Sequence, residues 1–173
     1  MEHSINWVAV IVIGVGATAV LDSWSLLLAK VFGVPSLNFC MVGRWISLMR
    51  SGQFNHTAIN KAPSQKGECA IGWFIHYVIG VIFSFTFLLV MSNDWLVSPR
   101  LIPALIFGLA TVCMPLFIMQ PALGLGIAAS KTPRPASARV KSCVSHCVFG
   151  AGIYISSLVL LHFEELLCLL IIG

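Results

Sequence analysis

The chain has 173 residues, of which 58% are hydrophobic and only 9% are charged, and its mean hydropathy is +0.96. Soluble domains carry about 25% charged residues, so this composition excludes an ordinary soluble domain and predicts one integral membrane domain over residues 1–173. The ten Lys and Arg outnumber the six Asp and Glu, but in a membrane chain that excess concerns orientation rather than nucleic acid. We therefore expect no nucleic-acid partner. The expected partner is the lipid bilayer, and either a homo-oligomer or a larger membrane complex is compatible with the chain.

The first predicted span covers about residues 5–28, and its apolar core is long enough for most of a membrane. Gly14, Thr18 and Asp22 follow one another at four-residue spacing and so share one helix face. Such a small-residue face predicts packing against another helix, with Gly14 at the contact. Asp22 has two interpretations: a carboxylate near the helix end that reaches headgroups or water, or a buried polar site.

A long polar connection follows at residues 34–68. Within it, residues 43–49 are predicted to form a short amphipathic helix that lies in the membrane interface, with Trp45 as its anchor. Arg44 is interpreted as a neighbouring anchor on the cytoplasmic side, and the alternative is a binding group for an anionic headgroup or ligand.

The second predicted span, residues 71–91, lies in a stretch without fixed charge that runs from residue 69 to residue 93. Gly72, His76 and Gly80 recur at every fourth position and share one face of the helix. A small and polar stripe on an apolar helix is typical of a helix-packing face in lipid, so both glycines are predicted contacts.

The third predicted span covers residues 103–120, and Pro115 inside it is expected to kink the helix. Residues 121–129 are too short and too rich in glycine to cross again, so they are predicted to form an interfacial or re-entrant segment. A basic loop is predicted at residues 132–139.

The fourth predicted span covers residues 142–163. His146 and Gly150 share one face of it, and Gly150 is again a predicted packing contact. The apolar tail after this span is too short for another crossing.

The positive charges are distributed unevenly along the chain. Nine of the ten Lys and Arg, all except Arg100, lie in or beside the connections 34–68 and 121–141. Cytoplasmic loops carry an excess of Lys and Arg, so both connections are predicted to be cytoplasmic and both termini to lie outside.

A short internal repeat links the second and fourth spans. The motif H-x-V-h-G, in which h is apolar, occurs at residues 76–80 and again at residues 146–150. Each copy lies near the cytoplasmic start of its span. The repeat predicts two helical hairpins related by an axis along the membrane normal, and chance similarity is the alternative.

Four polar side chains are expected in the cytoplasmic half of the membrane, one from each span: Asp22, His76, Gln120 and His146. If they converge, they form an intramembrane polar site. One interpretation is simple hydrogen bonding between helices. The others are a site that binds a proton or an ion, and ligation of a metal or haem.

The six cysteines form no C-x-x-C pair, and most lie in or beside apolar stretches, so no disulfide framework is expected. Cys143, His146 and Cys147 lie on one side of a helix and are weak candidates for a metal site, although structural packing explains them as well. The chain lacks H-E-x-x-H and nucleophile-elbow motifs. We therefore assign no catalytic residue and no cofactor.

Several segments together resemble a family of small bacterial inner-membrane proteins known only as a domain of unknown function. The resemblance extends from about Ile11 to Leu161 and rests on GVGATAVLDSWSLLL, FGVPSLNFCMVGRW, GWFIHYVIG, MQPALGLGIAASKTPRP and HCVFG. It implies a four-span protein of the bacterial inner membrane. It implies no activity, substrate, cofactor or functional residue.

The expected fold is therefore all-α and polytopic, with four transmembrane helices. Three functions are compatible with this sequence. The first is a small transporter or channel-like protein with a polar intramembrane site. The second is a non-catalytic scaffold or accessory subunit of the membrane, and the third is a haem- or metal-binding electron-transfer module.

Overall fold

The computed structural model describes residues 6–91 and 94–172. The start of the first predicted span at residue 5 lies outside these ranges. Within them the chain is helical and contains no strand, which confirms the all-α class. Its helices are α1 (Trp7–Phe32), α2 (Phe39–Met49), α3 (Glu68–Met91), α4 (Asp94–Val97), α5 (Leu101–Thr111), α6 (Gln120–Ala122) and α7 (Pro135–Ile172).

Four helical segments are long and apolar enough to cross a membrane: Trp7–Phe32, Glu68–Met91, Leu101–Ala122 and Pro135–Leu170. They correspond in order to the four predicted spans. The third consists of α5, a turn of π-helix at Pro115–Met119, and α6. Proline has no N–H to donate, so the regular hydrogen-bond pattern is interrupted near Pro115, where the sequence predicted a kink.

Capping residues explain where the first two helices begin and end. The side chain of Asn6 accepts a hydrogen bond from the N–H of Ala9, and α1 ends at Gly33, which adopts a left-handed conformation with φ of 64°. Helix α1 therefore extends past residue 28, where the first span was predicted to end. Asn38 caps α2 in the same way through the N–H of Cys40, so this helix begins at Phe39 rather than at the predicted Gly43.

The predicted basic loop at residues 132–139 is wrong in its second half. Helix α7 begins at Pro135 and already includes Arg139. Proline is favoured in the first turn of a helix because the N–H groups there have no partner within the helix. The same helix continues beyond residue 163, so the apolar tail extends the fourth span and does not turn back.

The long helices form a bundle in which α1 packs against both α3 and α7, α5 packs mainly against α7, and α2 packs against α3. The core lies where α1, α3 and α7 meet, and its most buried members include Ile13, Phe87 and Ile153, all 0% exposed. Large apolar side chains cover the outer faces, as with Phe74, which is 68% exposed. Helices with a packed inner stripe and an apolar outer face suit a lipid environment.

The two connections predicted to be cytoplasmic pack against each other at the loop end of the helix bundle. The N–H of Ile59 donates to the carbonyl of Leu123 at 3.1 Å, and the N–H of His56 donates to the carbonyl of Ala122 at 2.8 Å. Leu48, Ile59 and Leu123 form a small second core there. The predicted interfacial segment 121–129 is therefore packed on protein.

Candidate intramembrane polar site

A close crossing between α1 and α3 fixes the position of the polar residues. A Cβ added at Gly14 would lie 2.6 Å from the Cα of Val81, and one added at Gly80 would collide with the hydroxyl of Thr18. Only glycine allows the two backbones to approach this closely. The Thr18 hydroxyl donates to the carbonyl of Gly14 at 2.8 Å, so it is satisfied within its own helix.

Below this crossing, toward the loops, α1 and α3 contribute three hydrogen-bonded side chains. The Oδ1 of Asp22 lies 2.9 Å from the Nε2 of His76, and the Tyr77 hydroxyl donates to the Oδ2 of Asp22 at 3.0 Å. The side chains of Asp22 and His76 are 21% and 14% exposed. Both carboxylate oxygens therefore have a partner from the facing helix, in a partly buried setting. We call Asp22, His76 and Tyr77 the polar triad.

Aromatic side chains surround the imidazole of the polar triad. The ring of Phe39, at the start of α2, lies 4.1 Å from the His76 ring between centroids, and Trp73 lies 5.8 Å away. Tyr77 contacts the same imidazole edge-on at 5.6 Å. Phe39 is the only one of these residues outside α3. It connects the triad to helix α2.

His146 occupies a related position in the second pair of helices but has a different partner. Its Nδ1 lies 2.7 Å from the Oγ1 of Thr111, and the Thr111 hydroxyl donates its hydrogen to the carbonyl of Gly108 at 2.6 Å. A Cβ added at Gly108 would lie 2.7 Å from the Cα of Gly150. Both helix pairs thus combine a glycine crossing with a histidine one turn away. Among the described residues, no hydrogen bond links His146 to the polar triad.

Gln120 is 7% exposed and lies at the start of α6, after the π-helical turn. Its Oε1 is buried and has no hydrogen-bond partner in the described part of the chain. Among the described residues, no hydrogen bond joins it to the polar triad. Of the four polar residues predicted to converge, Asp22 and His76 are joined directly, His146 bonds Thr111, and the Gln120 Oε1 has no partner among the described residues.

The weak metal candidates on α7 have no metal-site geometry. Residues 6–91 and 94–172 contain no group of three or more His, Cys, Asp or Glu that could hold a metal ion. Cys143 and Cys147 line an apolar groove together with Trp24 and Leu109.

A family model matches most of the chain. Its description is "Protein of unknown function (DUF2938)", and it matches residues 11–160. The chain belongs to this family. The expected membership in a family of unknown function is confirmed, and the tail after residue 160 lies beyond the match. No curated protein and no solved structure matches the chain.

In this DUF2938 chain, Arg44 holds α2 and the first connection against the start of α3. Its Nε and Nη2 donate to the two carboxylate oxygens of Glu68 at 2.8 and 2.7 Å, and its Nη1 donates to the carbonyl of Ala62 at 2.9 Å. Hydrogen bonding to Glu68 raises the pKa of the Arg44 guanidinium above its usual value. The neighbouring Trp45 donates from Nε1 to the carbonyl of Phe54 at 2.8 Å. Arg44 therefore already has protein partners for its donors.

The expectation that the cysteines form no disulfide is wrong for one pair. Cys40 and Cys69 are joined by a disulfide between the first turns of α2 and α3. Their separation of 29 residues is no disulfide signal, so spacing alone missed it. A signal did exist, because each cysteine precedes by three residues a glycine, Gly43 or Gly72, at which the two helices touch.

Proposed function

We propose that this chain is a small multi-pass protein of the bacterial inner membrane that moves protons, or a solute linked to protons, across the bilayer. The polar triad is the proton-binding site in this proposal. One observation carries it: Asp22, a carboxylate within a helix long and apolar enough to span the membrane, is hydrogen-bonded by His76 and Tyr77 of the facing helix. Ionisable residues in such helices are rare and commonly mark ion or proton pathways.

The chemistry of the pair supports reversible proton binding. A central Asp costs about 2.5–3.5 kcal/mol on insertion scales, so a partner that neutralises it is favourable. With one shared proton, the Asp22–His76 pair has no net charge, whether the proton lies on the imidazole or on the carboxylate. When the proton leaves, the site carries one negative charge, and the Tyr77 hydroxyl still donates to it. Such a site can exchange a proton for a cation.

The distribution of burial supports access from the loop side. The buried residues of α1 are Ala9, Val10, Ile13, Gly14, Ala17 and Thr18, and all of them precede Asp22. The helices are therefore tightly packed in the half of the bundle nearest the N-terminus. The triad lies between that packed core and the loops. Alternating access would require the crossing at Gly14 to open on the other side.

Orientation follows from charge in this proposal. The connections 34–68 and 121–141 face the cytoplasm, because nine of the ten Lys and Arg lie in or beside them, and the termini face outward. The triad then exchanges protons with the cytoplasm in the described conformation. The exposed apolar faces contact lipid or further copies of the chain.

Proton flux into liposomes tests the proposal. Purified protein is reconstituted with an internal pH dye, and a pH gradient with a potassium–valinomycin potential is applied. We expect flux above that of empty vesicles, at least a tenfold loss with Asp22→Asn or His76→Gln, and a smaller loss with Tyr77→Phe. His162→Gln is the matched control, because that side chain is 83% exposed and lies outside the triad. Wild-type flux equal to that of empty vesicles, or full flux with Asp22→Asn, would overturn the proposal.

A scaffold or accessory subunit is the second candidate, and the contacts of His146 favour it. The Thr111 hydroxyl joins His146 of α7 to Gly108 of α5, which is what a residue that only holds helices together would do. If the protein is a scaffold, substitutions of His76 and of His146 should lower its thermal stability by similar amounts. The wild-type protein should then show no proton flux above that of empty vesicles. An absorbance spectrum and metal analysis of the same preparation test the electron-transfer alternative.

A further inference from the structure

We propose that the Cys40–Cys69 disulfide is a reaction site for a dithiol protein reductant of the thioredoxin class. We further propose that reduction of this disulfide lets Phe39 move away from the His76 ring that it covers. The exchange reaction does not depend on proton movement, but it shares with the proposed function the cytoplasmic orientation of the connection 34–68. Its consequence for proton movement rests on that function.

The position of the disulfide makes it accessible and reactive. Cys69 is exposed at the protein surface and Cys40 is half-buried, and each is the second residue of its helix. The positive end of a helix dipole stabilises a thiolate in the first turn, and a stabilised thiolate is a better leaving group in thiol–disulfide exchange. Asn38, which accepts the N–H of Cys40, defines that turn in α2.

The predicted cytoplasmic location argues against a permanent structural disulfide. Cys40 lies within the basic connection 34–68 and Cys69 directly follows it, and the charge distribution assigns this connection to the cytoplasm. Cytosolic thiol systems keep cysteines reduced, and disulfides that form there are usually transient, catalytic or redox-sensing. A pair that the fold holds at bonding distance in this compartment is therefore suited to cycle between two states.

The exchange balances in two steps. A thiolate of the reductant attacks the sulfur of Cys69, the more exposed of the two residues. The bond between the two protein sulfurs breaks, and the electron pair leaves on Cys40, which takes up a proton. The second thiolate of the reductant then attacks its own sulfur in the mixed disulfide and releases Cys69. Two electrons and two protons pass to the protein, and the reductant becomes a disulfide.

The contacts of α2 connect this bond to the polar triad. Phe39 adjoins Cys40 in sequence, lies 4.1 Å from the His76 ring, and places its carbonyl against Gly72 of α3. One turn further along α2, the paired donors of Arg44 hold Glu68. Reduction removes the covalent link at the Phe39 end and leaves the link at the Arg44 end. The first turn of α2 can then move away from His76 while the helix stays attached.

The first test measures whether Cys40 and Cys69 are oxidised or reduced. In a variant with Ser at Cys113, Cys143, Cys147 and Cys168, cells are quenched with acid, and free thiols are counted by the gel shift of a polyethylene-glycol maleimide. We expect both cysteines to be free in growing cells, closed after diamide treatment, and free again when the purified protein is incubated with thioredoxin, its reductase and NADPH. A pair that stays closed in growing cells or under excess thioredoxin overturns the proposal.

The second test measures how accessible His76 is to a chemical reagent, and it does not rely on transport. Wild-type protein in nanodiscs is modified with diethyl pyrocarbonate before and after reduction, and each histidine is quantified by mass spectrometry. We expect at least a threefold rise at His76 on reduction and no change at His146, whose partner Thr111 lies on α5 rather than α2. The double variant Cys40→Ser with Cys69→Ser should show the same His76 modification as the reduced wild type. If that variant does not fold, the comparison of oxidised and reduced wild type alone tests the coupling. Equal modification of His76 in both states overturns the coupling.

Flux measurements then separate this proposal from the proposed function. If reduced and oxidised vesicles both conduct no protons while His76 modification changes, the proton function fails and the redox site stands. If flux is present and identical in both states and His76 modification is also unchanged, the redox coupling fails and the proton function stands.

Discussion

Gly14 and Gly80 face each other where α1 crosses α3. A Cβ built on Gly14 would lie 3.0 Å from the carbonyl oxygen of Gly80, and a Cβ built on Gly80 would lie 3.1 Å from the carbonyl oxygen of Gly14. The contact is thus reciprocal and involves backbone on both sides. Backbone cannot move aside as a flexible side chain can, so this crossing sets how closely the two halves of the polar triad approach.

Leucine at either position should separate α1 from α3. We expect Gly14→Leu and Gly80→Leu each to destabilise the protein by about 3 kcal/mol or more, at or above the upper end for overpacked cores, because neither backbone can yield. Thermal unfolding in detergent, followed by circular dichroism, measures the change. Ala19→Leu in α1 and Ala70→Leu in α3 are the matched controls, since both alanines are exposed. Unchanged melting temperatures for both glycine variants would show that these faces do not pack in the folded protein.

The ion pair between Arg44 and Glu68 should contribute substantially to stability. The side chains are only 15% and 12% exposed, and removal of one partner leaves the other charge poorly solvated. We expect Glu68→Gln to cost about 1–3 kcal/mol, between the values for exposed pairs and for fully buried pairs, because the pair is partly buried. Arg44→Lys should fall between that variant and the wild type, because lysine keeps the charge and loses the paired geometry.

The control for the ion pair is Arg50→Gln, since Arg50 is exposed at the end of α2. Urea or thermal unfolding in the same detergent compares the three variants. If Glu68→Gln is as stable as Arg50→Gln, the pair is a surface contact of little energetic value, and the attachment of α2 to α3 relies on other contacts.

Thr111 should support His146 in the second helix pair. Its hydroxyl is 2.7 Å from the imidazole Nδ1 and is buried, so Thr111→Val leaves a ring nitrogen without that partner. We expect a loss of about 1–3 kcal/mol, the usual penalty for an unsatisfied buried polar group. Thr86→Val is the matched control, because the Thr86 hydroxyl is exposed and bonds only the carbonyl of Ile82 in its own helix. Similar stability of the two valine variants would contradict a structural role for the Thr111 contact.

The fold class and the approximate location of the four spans could be predicted because lipid imposes a strong and local constraint. Every span must satisfy its own backbone and present apolar side chains, and both requirements are visible in a single stretch of sequence. The ends of the helices were less predictable. Asn38 and Pro135 each start a helix within a segment whose composition also suits a loop, and a capping residue is a weaker signal than twenty apolar residues.

The pairing of side chains could be predicted only in part. Four-residue spacing identified faces that contain Asp22 and His76, because that spacing is a property of one helix. The partner of each face depends on how the helices cross. The sequence did not indicate that His146 would bond Thr111, that Phe39 would cover His76, or that Arg44 would bind Glu68.

The orientation in the membrane is the last prediction, and it has consequences for both proposals. Nine of ten Lys and Arg lie in or beside the connections 34–68 and 121–141, so a reporter inserted near Gln65 should report the cytoplasm. A reporter after Gly173 should report the outside, and paired phosphatase and fluorescent-protein fusions at both positions measure this. A cytoplasmic signal at Gly173 with an external signal at Gln65 would invert the protein. The triad would then face an oxidising exterior, and Cys40–Cys69 would be a stable link there, since disulfides persist in such compartments. The same fusions therefore decide from which side protons reach Asp22 and whether a cytoplasmic reductant can reach Cys69.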